Sequence, residues 1–151
     1  MPTFAQFNAD DHPAAVDVDD LEALVATPGG DKVAANQVLY NLARRGIEFD
    51  LLPWCEQRGI RVMAYSPLDE GRLIRHPALA DVASRLGVPP ARVALAWLLR
   101  RRDLIVIPKA SNAAHVRENR AASSLALDDE SLRTLEQAFP APRRKRPLEM
   151  I

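Results

Sequence analysis

The sequence predicts an α/β fold with a parallel sheet, on two observations. Short apolar, β-branched runs alternate with stretches of helical period, and Gly or Pro punctuates most changes of period. Leu104-Ile105-Val106-Ile107 is the clearest run. It reads as a fully buried parallel strand that Pro108 stops. Val33 to Leu39 and Arg61 to Ser66 read as the other two strands. Strands separated by helices imply right-handed crossovers.

The elements follow in order. Residues 1–17 have no clear period and collect Asn8, Asp10, Asp11, His12, Pro13 and Asp17, so they are expected to form an irregular lead-in without assigned chemistry. Asp17 is placed to cap a helix in which Val18, Leu21 and Val25 repeat, and Thr27-Pro28-Gly29-Gly30 ends it. Ile47, Leu51, Leu52 and Cys55 share one helical face, with Pro53 tolerable in a first turn and Gly59 closing the element. Cys55 is then a packed thiol. Leu79, Val82, Ala83 and Leu86 predict an amphipathic helix closed by Gly87 and Pro89. Ala91 to Leu99 is apolar around most of its circumference, which makes Trp97 a core residue. Asp128 can cap the last helix, Leu127 and Leu132 stand where a hydrophobic staple would, and Leu135 and Phe139 continue the buried stripe.

Composition bounds the function. A chain of 151 residues with 48% apolar and 26% charged residues suits one globular domain with a real core. Twenty basic residues balance twenty acidic ones, so no whole-molecule field draws it to nucleic acid or an anionic membrane. The single cysteine cannot form an internal disulfide, and no apolar stretch suits a membrane span or a signal peptide, which makes the cytoplasm the expected compartment. The basic run Arg143-Arg144-Lys145-Arg146 lacks interleaved aromatics and reads as a solvated tail rather than a nucleic-acid patch.

The strongest chemical signal is the segment Ile107 to Asn119, which reads as a strand running into a helix N-terminus beside a lysine. Ser111 or Asn112 can cap that helix, whose free N–H groups and positive dipole end attract an anion. Lys109 adds a mobile full charge. This block resembles the cofactor-binding signature near the C-terminus of aldo-keto reductases. Asn36-Gln37-Val38-Leu39-Tyr40-Asn41 resembles that family's sixth barrel strand and Val62-Met63-Ala64-Tyr65-Ser66-Pro67-Leu68 its seventh. The resemblance runs from about Val18 to Ile151 and fades toward the N-terminus.

The resemblance implies a partial (β/α)8 TIM barrel. A whole barrel takes on the order of 250 residues, so these residues hold its last three strand-helix units, with parallel strands. The implied division is a lead-in at 1–17, the C-terminal part of the barrel at 18–139 and a basic tail at 140–151.

The resemblance also assigns roles. Gln37, a polar residue within an apolar strand and expected to be buried, would hold the nicotinamide carboxamide, and Tyr65 would stack on the nicotinamide ring. Ser66, Pro67 and Leu68 would lie along the pyrophosphate. Lys109 would neutralise the 2′-phosphate of NADP, with Ala110, Ser111, Asn112 and His115 around it, while Glu118 and Asn119 would face the adenine. Two positions depart from the usual pattern: Ala110 stands where many members have a hydroxyl, and His115 where many have arginine. An imidazole attracts phosphate less firmly than a guanidinium, so the implied cofactor is NADP(H) with NAD(H) left open.

No catalytic residue is assigned. The family reduces carbonyls with an Asp, Tyr, Lys and His set carried on earlier strands, and Asp31, Lys32, Tyr40 and His12 match no motif of it. No metal-ligand pattern is read either. Whether the chain is itself an enzyme therefore stays open. The expected function is the NAD(P)H-binding portion of a reductase of aldehydes and ketones, truncated and inactive alone. The alternative is a non-catalytic nucleotide-binding or assembly module that pairs with another chain. A small carbonyl substrate is implied only on completion of the barrel. The outer strands, with Val62 and Val106 expected to lose cover, imply self-association or a complementing chain.

Overall fold

The computed structural model describes residues 16–151. The lead-in, including Phe7, Asn8 and His12, lies almost wholly outside the described residues. The first helix, α1 (Val18–Val25), starts where the Asp17 side chain accepts hydrogen bonds from Asp19 N and Asp20 N, and the Asp20 carboxylate accepts one from Asp17 N. Two aspartates thus complete a reciprocal cap. Gly29 turns the chain at φ 84°, and a Cβ on Gly30 would sit 1.9 Å from Leu24 O, which explains the Gly-Gly pair.

Strand β1 (Ala35–Leu39) is followed by a single 3-10 turn at Gly46–Glu48 and then α2 (Leu51–Arg58). Ile47 is buried, but in that separate turn and not on the helix expected to contain it. Asp50 caps Leu51 N at 2.8 Å and sets the helix start, and Gly59 ends it at φ 68°. Strand β2 (Arg61–Tyr65), α3 (Pro77–Leu86), α4 (Pro90–Leu99) and β3 (Leu104–Val106) come next, then α5 (Ala113–Ala121) and α6 (Asp129–Ala138). Trp97 is in the core, with the Arg45 and Arg100 guanidinium groups 5.0 and 4.8 Å from its ring centre. Among the described residues, no helix is long and apolar enough to cross a membrane.

The sheet has the order β1-β2-β3, with both pairs parallel. Its register places Asn36, Val62 and Leu104 side by side, then Gln37, Met63 and Ile105, then Val38, Ala64 and Val106. Successive residues of a strand face opposite sides. One face packs Val38, Val62, Ala64 and Leu104 against Leu52, Cys55, Leu79 and Leu98 of the helices. The other face is open in part: Gln37 is exposed and Ile105 is 40% exposed, while Met63 between them is half-buried and Leu39 at the end of β1 is buried.

This corrects three expectations. The last strand is not fully buried, because helices cover only its Leu104 side, and Ile107 beyond it is 39% exposed. Gln37 is not a buried amide, since it faces the uncovered side. Val62 loses no cover at all, being 0% exposed, and Val106 is half-buried on the same face; the exposed positions, Gln37 and Ile105, lie on the opposite face.

Candidate nucleotide-binding site

Because the strands are parallel, the loops after Leu39, Tyr65 and Val106 gather at one end of the sheet, where ligands of such sheets bind. Tyr65 ends β2, half-buried, opposite Leu39. Ile107 N donates to Ala64 O at 3.2 Å, which carries β3 past its last ladder residue and brings Pro108 and Lys109 to the same edge as Tyr65.

The turn after β2 is strained. Ser66, Asp69 and Glu70 have φ of 47°, 49° and 54°, a region that costs residues other than glycine on the order of 1–3 kcal/mol each. Pro67 is buried, and Leu68 packs against the core. Asn41 Nδ2 donates to Ser66 O at 2.9 Å, while its Oδ1 accepts from Ala43 N and Arg44 N at 2.9 and 3.0 Å. Asp69 is buried and pairs with Arg44 at 3.5 Å and Arg72 at 3.1 Å. None of Asn41, Arg44 and Asp69 was singled out in sequence as a site residue. The signal in sequence was a polar or charged side chain within a few residues of a strand end, a weak one because such side chains are common in loops.

Lys109 is exposed, and no carboxylate among the described residues pairs with it. Asn112, and not Ser111, caps α5: its side chain accepts from His115 N at 2.9 Å. Ser111, Ala113, Ala114 and His115 are all exposed, which leaves a helix N-terminus open beside a free ammonium group. That donor set suits a phosphate monoester. Ala110 is half-buried and adds no donor beyond its backbone. Glu118 is drawn toward α4, where Arg92 Nη2 donates to it at 2.6 Å, and Asn119 beside it is half-buried.

Two groups of reactive type lie in the core instead. Tyr40 is fully buried, and its hydroxyl donates to Glu48 at 2.7 Å. Burial pushes its phenol well above the ordinary range, and Glu48 pushes the same way, so it is a poor proton donor. Burial likewise pushes the Cys55 thiol up to about 11, which keeps it protonated and inert near neutral pH. A cavity of about 700 Å³ lies elsewhere, between Leu42, Gly46, His76, Phe139 and the C-terminal tail.

The family profile described as aldo/keto reductase family matches residues 14–139. The chain belongs to the aldo/keto reductase family. It is 42% identical over 141 residues to the methylglyoxal reductase YeaE of Escherichia coli, a match that covers 90% of this chain and 50% of that protein. Pyridoxine 4-dehydrogenase of the same bacterium is 40% identical over 98 residues, 64% of this chain and 34% of its own length. In structure, an aldo/keto reductase from Klebsiella pneumoniae, solved with NADP and acetate, superimposes with a TM-score of 0.87 at 43% identity, over 90% of this chain and 50% of that one. A second structure from that organism, with NADPH, gives 0.86 over the same shares. The chain thus spans about half the length of these two reductases, and its α/β sheet corresponds to part of their barrel.

Proposed function

We propose that this chain is the NADP(H)-binding portion of an aldo/keto reductase that acts on small aldehydes or ketones. The observation that carries this reading is the open N-terminus of α5 beside Lys109, at the same sheet end as Tyr65 and the strained turn at Ser66. In this reading Tyr65 stacks on the nicotinamide ring, Ser66, Pro67 and Leu68 follow the pyrophosphate, and Gln37 meets the carboxamide from the open sheet face. Lys109 and the α5 N–H groups answer the 2′-phosphate, with Ala110, Ser111, Asn112 and His115 around it. Glu118 and Asn119 border the adenine, with Arg92 fixing Glu118. The dinucleotide, when bound, supplies hydride. NADP(H) is favoured over NAD(H), because a lysine with no acidic partner among the described residues has more to gain from an extra phosphate.

The 151 residues alone are proposed to be inactive in carbonyl reduction. Tyr40 is committed to Glu48, and Asp31 and Lys32 are exposed in the loop before β1, so none of these three is free at the strand ends to serve as the family's proton donor. An NADPH-consumption assay with simple aldehydes is expected to show no enzyme-dependent loss of absorbance; steady turnover would remove this reading. The open face of Gln37, Met63 and Ile105 supports association with a complementing barrel half or a second copy, and light scattering at several concentrations is expected to show mass above the monomer. The division into lead-in, barrel part and tail, and a cytoplasmic location, belong to the same proposal. Nucleotide binding without turnover after addition of a relative's N-terminal half would instead favour a non-catalytic module.

A further inference from the structure

The turn after β2 is gripped at two points by the loop after β1. Asn41 Nδ2 holds Ser66 O at 2.9 Å and Arg44 Nε reaches Asp69 Oδ1 at 3.5 Å, so the contacts bracket the start of a left-handed stretch. Arg44 is held in its turn, because its Nη1 donates to Glu149 Oε1 at 3.1 Å. The segment that carries Glu149 is itself fixed. Leu148 packs against the core and Lys145 lies 3.4 Å from Asp50. Asp69 is buried while Arg44 and Glu149 are partly exposed. A buried carboxylate keeps its place while its charge is answered: Arg72 answers Asp69 Oδ2 at 3.1 Å from within the turn, and Arg44 is the cation that ties Oδ1 to another loop, from a direction that Glu149 fixes by orienting its fork.

We propose that Arg44 and Glu149 are positioning residues for the nucleotide-binding turn: the C-terminal segment sets, through Arg44 and Asp69, the backbone of residues 66–71. This rests on the reading that the turn meets the dinucleotide. Neither residue needs to touch the ligand. The pairing places a segment remote in sequence in control of how well the turn is formed before binding, which lowers the ordering cost of the complex.

The test uses the full chain with Glu149→Gln, Arg44→Lys and Arg44→Ala. Hydrogen exchange is read at the amides of Asp69, Gly71 and Arg72, which donate to Ser66, Leu68 and Asp69 oxygens at 2.9, 2.9 and 3.0 Å. NADPH affinity is read by fluorescence titration. For Glu149→Gln, exchange in the turn is expected to accelerate about two- to five-fold, the range of a partly exposed ion pair, with affinity falling by a similar factor. Amides of β1 and α6 and the melting temperature should stay where they are. Arg44→Ala should give larger changes of the same kind, and Arg44→Lys should recover part of them, since an ammonium keeps the charge but not the fork. Unchanged exchange in the turn of the Glu149→Gln chain overturns the proposal. So does equal acceleration in β1 and α6, which would mark a general loss of stability, and so does a loosened turn with unaltered NADPH affinity. If the unmodified chain binds no NADPH, the exchange measurement still decides whether the tail sets the turn, and the failure then belongs to the nucleotide reading.

Discussion

The two faces of the sheet differ by one step in register and by almost everything else. Val38, Val62 and Ala64 are 0% exposed, whereas Gln37 and Ile105, on the opposite face, are open to solvent. Among the described residues, the helices pack along one face. One face of each strand is thus closed by the helices, whereas the other is closed at Leu39, half-buried at Met63 and Tyr65, and left open at Gln37 and Ile105. Stability resides on the first face, and the proposed chemistry begins at the end of the second.

The largest effect should come from the closed face. Leu98, fully buried on α4, replaced by alanine leaves a cavity, and the loss is expected to be about 2–5 kcal/mol in denaturant unfolding. A loss well under 1 kcal/mol would mean that this face is less closely packed than its burial indicates. Next in size is Lys109→Ala at the open end. NADP should bind about ten-fold or more weakly, from roughly 1.5–3 kcal/mol for a hydrogen bond to a charged group, with NAD changed far less. Equal weakening of both nucleotides by calorimetry would take Lys109 away from the 2′-phosphate.

Ile105→Thr probes the open face directly. Unfolding free energy of the monomer should move by less than about 1 kcal/mol, since little buried area is lost. Association by light scattering should weaken. A destabilisation matching Leu98→Ala would show that Ile105 is covered after all. The smallest effect concerns a surface pair remote from both faces. Asp128 caps α6 and is held well below the usual carboxylate range, first by its hydrogen bonds with Arg85, then by those from the Ser131 side chain and backbone. A folded-state value depressed in this way adds stability above the unfolded value of about 3.9, and the benefit fades as pH falls below it. Asp128→Asn should therefore lower the melting temperature slightly at pH 7, with the difference closing below about pH 4. A difference that stays constant between pH 7 and pH 2 would assign the effect to something other than the aspartate charge.

The local code of this chain is written in neighbouring residues, and those parts were legible. Asp17 and Asp128 cap because a short carboxylate reaches the N–H groups of the following turn, and Gly59 and Gly87 end helices because they take φ of 68° and 63°. Apolar period alone gave the strands their approximate limits and Trp97 its place in the core. The parallel α/β class follows from that alternation, and the family from three short blocks in order.

What period alone cannot say is which side of a strand meets a helix. Leu104-Ile105-Val106-Ile107 is apolar on both sides, as a strand buried on both faces must be, yet packing within the described chain covers only one. The same decision puts Gln37 in the open. The grip of Asn41 and Arg44 on residues 66–69, and the hold of Glu149 on Arg44, join positions 25 and 105 residues apart. No local pattern encodes such pairs, because the directional preference of a guanidinium for a carboxylate acts only after the backbone has brought them within reach. The sequence by itself determined the elements, their order and the chemical types at the strand ends; the tertiary structure decided which of those groups are buried, paired or left open.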